Sequence, residues 1–279
     1  MNQIKSDLGL EVELVSGIEE ARLIYLGVLS GMPFGTCPHF VLDIGGGSTE
    51  LILADENDSR ALTSSRLGAV SLQRDFIKNE PISSERLNFL RTFIQGSLEP
   101  AVNKILSRVQ IGEKTALVAT SGTALAIGAL ASSEEDNLLL GMHGYRFSKE
   151  KLDQLVQKLL NMTPEQRRKL SSLSERRAEI IVPGALVLQV AMNMLHAEEV
   201  ILSERALREG LVVDWMFRKG LLKDRFSLQG SIRERTVTHQ AERFSVNRER
   251  SERVASYALD IYDNTQGILH HDKGLGRNL

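Results

Sequence analysis

A chain of 279 residues, 42% hydrophobic and 25% charged, has globular composition and enough material for about two domains with a buried core. The formal net charge of −2 does not mark a polyanion binder, and the single cysteine, Cys37, excludes an internal disulfide framework and fits a reducing cytoplasm. No apolar run approaches the roughly 20 residues of a membrane helix, and the opening Met1-Asn2-Gln3-Ile4-Lys5-Ser6-Asp7 lacks the apolar stretch of a secretory signal.

Glu11–Val15 alternates polar and apolar residues and predicts a strand, broken by Ser16-Gly17. A helix is expected from Ile18, with Ala21, Leu23, Ile24 and Val28 inward; Gly31, Pro33, Gly35 and Pro38 then mark a loop. Phe40–Ile44 reads as a short buried strand, Gly45-Gly46-Gly47-Ser48 as a turn and Glu50–Ala54 as the return strand of a hairpin, with Ala61–Leu67 as a third strand. Val70–Lys78 and Ser84–Val109 read as helices, the second entered after Pro81 with Ser83 or Ser84 as cap. Thr115–Thr120 is an apolar strand that turns through Ser121-Gly122-Thr123 into a helix over Ala124–Leu130. Ser148 caps a helix to Asn161, Thr163-Pro164-Glu165-Gln166 opens another, and Leu173–Leu195 is helical with a break or kink at Pro183. Val200–Leu202 is a strand, Glu204–Lys219 a helix, and Ser231–Tyr262 helical and charged. Strands alternating with helices as far as residue 219 predict an α/β fold with an all-helical segment after it. Residues 218–253 carry ten Lys and Arg against five acids, a tract that either presents solvated helix faces or steers a polyanion.

The most informative stretch is Asp43-Ile44-Gly45-Gly46-Gly47-Ser48-Thr49-Glu50. Glycines permit positive φ and let backbone N–H groups converge on an anion. Ser48 and Thr49 add hydroxyl donors, and Asp43 can hold a divalent cation beside a bound phosphate. The competing reading is a tight hairpin whose glycines serve only the turn.

This stretch, with Leu51, resembles the second phosphate motif of the exopolyphosphatase / guanosine pentaphosphate phosphatase (Ppx/GppA) family, of the actin, Hsp70 and sugar kinase superfamily. Four further segments agree in order. Ser16-Gly17-Ile18-Glu19-Glu20-Ala21-Arg22-Leu23 resembles the family's Ser-Gly-x-Glu-Glu-Ala-Arg segment, and Ala119-Thr120-Ser121-Gly122-Thr123 its third glycine turn. Glu175-Arg176-Arg177-Ala178-Glu179 with Val182-Pro183-Gly184 resembles the following helix, and Ala206-Leu207-Arg208-Glu209-Gly210-Leu211 the closing one.

The resemblance implies a ribonuclease-H-like lobe over 18–204, residues 1–17 with 205–222 as remnants of the first α/β lobe, and 223–279 as the truncated start of a helical domain. The family's first phosphate loop, Asp-x-Gly-Ser-Asn-Ser, does not occur here, so an internal fragment or truncated product is expected. Hydrolysis needs a water relieved of its proton. The resemblance assigns that base to Glu20, whereas on the residues alone Glu19 and Glu20 equally well favour a helix N-terminus. It implies phosphate binding by Gly45, Gly46, Gly47 and Ser48 and by Ser121, Gly122 and Thr123, a metal at Asp43, and Mg²⁺ or Mn²⁺ as cofactor. Ser121-Gly122-Thr123 also reads as a plain strand-to-helix turn.

Glu50 and Arg208 are further candidates; Arg176 and Arg177 are expected to pair with acids such as Glu175, Glu179 and Glu209. His270, His271 and Asp272 lie in a Gly-rich tail, so no metal site of the HD phosphohydrolase type is expected there. Three functions compete: hydrolysis of inorganic polyphosphate or guanosine pentaphosphate, a non-catalytic module binding polyphosphate or (p)ppGpp, and a phosphotransferase of the same superfamily. No specific nucleic acid and no membrane partner is expected, and a homodimer is expected at full length.

Overall fold

The structure, a computed structural model, describes residues 2–10, 12–32, 34, 37–55, 58–77, 80–133, 141–222 and 246–265. It divides into two compact units, Met1–Phe226 and Ser227–Leu279. The first holds a six-stranded sheet in the order β3-β2-β1-β4-β6-β5. The strands are β1 (His39–Ile44), β2 (Thr49–Ala54), β3 (Ser59–Ser65), β4 (Ala116–Thr120), β5 (Arg146–Ser148) and β6 (Glu199–Leu202). β1, β4 and β6 are parallel, whereas β2, β3 and β5 join antiparallel.

The parallel strands are buried on both faces, so they read as continuous apolar runs. Phe40, Leu42 and Ile44 of β1 point into the larger core with α3 (Ala69–Phe76), α4 (Ser84–Leu106), α5 (Ser121–Ser133), α6 (Lys149–Asn161) and α8 (Glu175–Leu195). Val41 points the other way, toward α2 (Gly17–Leu29) and α9 (Leu207–Arg218). α2 and α9 cross at Gly27 and Gly210: a Cβ on either would collide with the backbone of the other helix, at Ala206 and Leu23 respectively. The α/β prediction and the helical C-terminal portion hold.

Local expectations fail where tertiary context overrides the pattern. No strand forms over 12–16; Val12, Leu14 and Val15 are exposed, because alternation without a neighbouring strand leaves the backbone groups unpaired. A helix, α1 (Asn2–Leu8), precedes them. α8 runs unbroken through Pro183: Glu179, four residues earlier, is exposed, so water can satisfy the carbonyl that Pro183 leaves without a donor. α8 is also long and apolar enough to cross a membrane, at a mean hydropathy of 1.6, contrary to the expectation that no run approaches that length. Of that window, 78% is buried inside the unit, as befits a core helix. α7 (Pro164–Arg168) begins with the predicted proline. In the second unit α10 (Arg248–Asn264) is an exposed helix capped by Asn247. The basic tract over 223–245 and the His270-His271-Asp272 triplet lie outside the described residues.

Candidate functional site: a carboxylate rung beneath a glycine loop

The backbone register lines up four polar residues across four strands. Ser64 of β3 is opposite Glu50 of β2, Glu50 is opposite Asp43 of β1, and Asp43 is level with Thr120 of β4. Opposed residues share a face of the sheet, so these side chains form one rung at the carboxyl edge of the parallel strands, on the side of α2 and α9. Asp43 is 8% exposed, Glu50 1% and Thr120 1%. The Thr120 hydroxyl is shared between the carbonyls of Ser203 and Arg205, 2.9 and 3.0 Å away, and so ties the β6–α9 connection to this edge.

Burial, then the charges of Glu50 and Glu20, push the Asp43 carboxyl up to about 7. Burial also raises Glu50, against the hydrogen bond that Ser64 Oγ donates to its Oε1 at 2.8 Å; Glu20 raises it further and the Ser48 hydroxyl opposes that. Three carboxylates from α2, β1 and β2 therefore share one electrostatic neighbourhood. Among the described residues no three His, Cys, Asp or Glu side chains converge closely enough to hold a metal by themselves. Mg²⁺ needs only one or two carboxylates besides phosphate and water, so the donor set fits that ion without forming a closed cage.

The glycine loop follows the rung. Gly45 N–H closes the turn on Ser48 O at 2.9 Å. The carbonyls of Gly45 and Gly46 accept from Ala69 N–H (3.0 Å), Val70 N–H (3.0 Å) and Ser71 N–H (3.2 Å), the first turn of α3. Gly68 lies beneath, where a Cβ would collide with Gly46 and Gly47. Two expectations need correction here. None of Gly45, Gly46 and Gly47 adopts positive φ, and an added Cβ would crowd a neighbour at Gly45 and Gly46 but not at Gly47. Thr49 is no free donor: it is 1% exposed and its hydroxyl donates to Leu67 O at 2.5 Å.

The first turn of α2 stands over the same edge. Ser16 Oγ accepts from Glu19 N–H at 3.2 Å, and Gly17 rests on Ser64 with no room for a Cβ. The structure separates the two glutamates. Glu19 is gripped by Arg22 through Nε (2.8 Å) and Nη2 (2.6 Å), and Arg22 also binds Asp214 of α9 at 2.7 Å. Glu20 instead acts on Asp43 and Glu50.

Because Asp43 and Thr120 are level on adjacent parallel strands, the loop after β4 opens onto the same edge as the loop after β1. The carboxyl ends of parallel strands are where open α/β sheets bind ligands. Ser121 has φ 89°, and its Oγ accepts from the N–H groups of Thr123 (3.2 Å) and Ala124 (3.3 Å). Arg177 of α8 was expected to pair with an acid. Its guanidinium instead lies against Gly122, where a Cβ would strike it, and donates to Thr123 Oγ1 at 3.3 Å. Glu179 goes to Arg168, 3.7 Å away. Arg208 is exposed in the first turn of α9, where its charge acts on Glu209. On the sequence Arg177 is weighed as a phosphate contact and set aside for an acid partner, and nothing there singles out Ser64.

The model of the Ppx/GppA phosphatase family matches residues 1–219. The chain belongs to that family. It is 29% identical over 263 residues to a guanosine-5'-triphosphate,3'-diphosphate pyrophosphatase of Photobacterium profundum, which covers 94% of this chain and 48% of that protein. It is 29% identical over 261 residues to exopolyphosphatase 1 of Mycobacterium leprae, covering 91% of this chain and 73% of that one. The chain thus spans about half the length of the first of these curated relatives. A Ppx/GppA family member from Aquifex aeolicus superposes with a TM-score of 0.67 at 24% identity, over 78% of this chain and 68% of that one. An exopolyphosphatase from Cytophaga hutchinsonii gives 0.70 at 22% identity, over 78% and 69%. These likenesses establish the fold.

Proposed function

We propose that this Ppx/GppA chain contributes to the hydrolysis of terminal phosphoanhydride bonds, with inorganic polyphosphate or guanosine pentaphosphate as substrate. The observation that carries the reading is the buried Asp43–Glu50 pair placed against the glycine loop. Two buried acids facing each other destabilise a sheet, and a carboxyl raised as far as that of Asp43 marks a functional-site candidate. Mg²⁺ or Mn²⁺ held at Asp43, with Glu50 beside it, would offset the charge of the phosphate oxygens and of the acid pair. The two relatives bear names of enzymes that act on phosphoanhydrides, which supports the substrate class.

In this reading the amides of Gly46, Gly47 and Ser48 and the start of α5 hold the terminal phosphate, with Arg177 adding positive charge at Gly122. Glu20 takes a proton from the water whose oxygen attacks the terminal phosphorus. The bridging P–O bond breaks, and the shortened phosphate chain leaves with the electron pair. Orthophosphate release, measured with polyphosphate and guanosine pentaphosphate separately, tests this. Release that depends on a divalent cation and on Glu20 supports hydrolysis. Cation-dependent binding without release leaves a non-catalytic binding module, and neither binding nor release defeats the proposal.

A further inference from the structure

We propose that Ser64 is a positioning residue for this site, a role that rests on the hydrolase reading above. Two contacts converge on one short side chain. Its Oγ donates to Glu50 Oε1 at 2.8 Å. Its Cβ and Oγ also occupy the space where a side chain at Gly17 would stand, so the first turn of α2 sits directly on Ser64. Glu50 is opposite Asp43 in the hairpin, and Glu20 follows Gly17 by less than one helical turn. Ser64 therefore fixes both the orientation of Glu50 and the height of Glu20 above the acid pair.

The chemistry of the contact matters. A lysine or arginine at this place would neutralise the pair and compete with a divalent cation. A hydroxyl holds the Glu50 carboxylate in place while leaving its charge available. Ser48 supplies a second hydroxyl from the loop, and Ser64 also touches α2 at Gly17.

The test compares the full chain with Ser64→Ala and Ser64→Thr, reading Mn²⁺ affinity by calorimetry and orthophosphate release from polyphosphate. Partners that orient metal-binding groups typically matter by about 10–100-fold. Ser64→Ala is expected to weaken Mn²⁺ binding about ten-fold or more and to lower kcat more than it raises KM, with an unchanged melting temperature. Ser64→Thr, which keeps the donor on a side chain suited to a strand, is expected to restore both. Wild-type Mn²⁺ affinity in Ser64→Ala overturns the role of Ser64 while leaving the hydrolase reading intact. So does a Thr variant as weak as the Ala variant. If the unsubstituted chain neither binds polyphosphate with a divalent cation nor releases orthophosphate, the hydrolase reading falls and this inference falls with it.

Discussion

Asp43 and Glu50 face each other across the β1–β2 hairpin, two acids on one face of the sheet, 8% and 1% exposed. Their neighbours one step back, Leu42 and Leu51, are also paired and make the ordinary apolar contact of a core. Replacing either acid by a neutral residue would relieve a like-charge contact, so the pair opposes folding while it concentrates negative charge beside the loop.

That opposition sets a pH dependence. Asp43 keeps its proton in the folded chain up to about 7, against an ordinary value of 3.8. Between those values the folded state binds the extra proton, so stability falls as pH rises through the window. Asp43→Asn should flatten this slope and stabilise the chain above the raised value by on the order of 1 kcal/mol or more. The same variant should lose Mn²⁺ binding, which in the unsubstituted chain should strengthen as pH rises through the window. Urea unfolding and calorimetry below and above that value check both, and equal slopes for the two proteins would defeat the prediction.

Glu20 and Glu19 should behave differently despite being adjacent. Glu20→Gln should lower turnover by about 10²–10⁴-fold, the usual contribution of a general base, with substrate affinity kept. Glu19→Gln breaks the grip of Arg22 and should lower stability slightly, by less than about 1 kcal/mol, with turnover largely kept. The kcat and KM values for orthophosphate release decide between them; the reverse pattern would move the base to Glu19.

Arg177 should behave as a phosphate ligand. Arg177→Met should weaken polyphosphate binding by about ten-fold or more, the value of a charge-assisted hydrogen bond. Its binding should also respond less to added salt. Arg177→Lys should restore little, because a point charge replaces the planar guanidinium beside Gly122. Binding isotherms at two salt concentrations are the check, and unchanged affinity in Arg177→Met would exclude the residue from the site.

The glycines separate folding from binding. Gly68→Ala drives a Cβ into the backbone at Gly46 and Gly47 and should destabilise by about 1–3 kcal/mol. At Gly47 no protein atom lies within 4 Å of an added Cβ. Gly47→Ala should therefore melt as the unsubstituted chain does, yet bind phosphate more weakly, because the new methyl group stands where the anion approaches. A Gly47→Ala chain with full polyphosphate affinity would place the anion elsewhere.

Much of this was legible in the sequence because it is local. The run from Phe40 to Ala54 states strand, turn and strand within its own residues, and Asp43 and Glu50 flank the glycines in plain order. Asp43 and Gly122 share an edge, since β1 and β4 are adjacent and parallel. What could not be read depends on partners distant in the chain. The split between Glu19 and Glu20 is made by Arg22 reaching Asp214 on α9. Arg177 meets Gly122 only because α8 packs on α5, with Gly184 leaving room for Thr123. Ser64 joins the rung only through the pairing of β3 with β2. The strand pattern at Glu11–Val15 misled for the same reason, since alternation specifies a face but not a neighbour to pair with.

The carbonyls of Gly45 and Gly46 are held by the first turn of α3, and this changes what an arriving anion has to do. The end of α3 that would otherwise attract a negative group has its donors committed to the loop, so α3 acts as a brace. The loop is shaped while the chain folds, and its backbone is held in place by that brace. A ligand meeting such a loop need not freeze it, so little ordering entropy opposes binding. Capture and release of a phosphate group would then be compatible, since neither event requires the loop to be rebuilt.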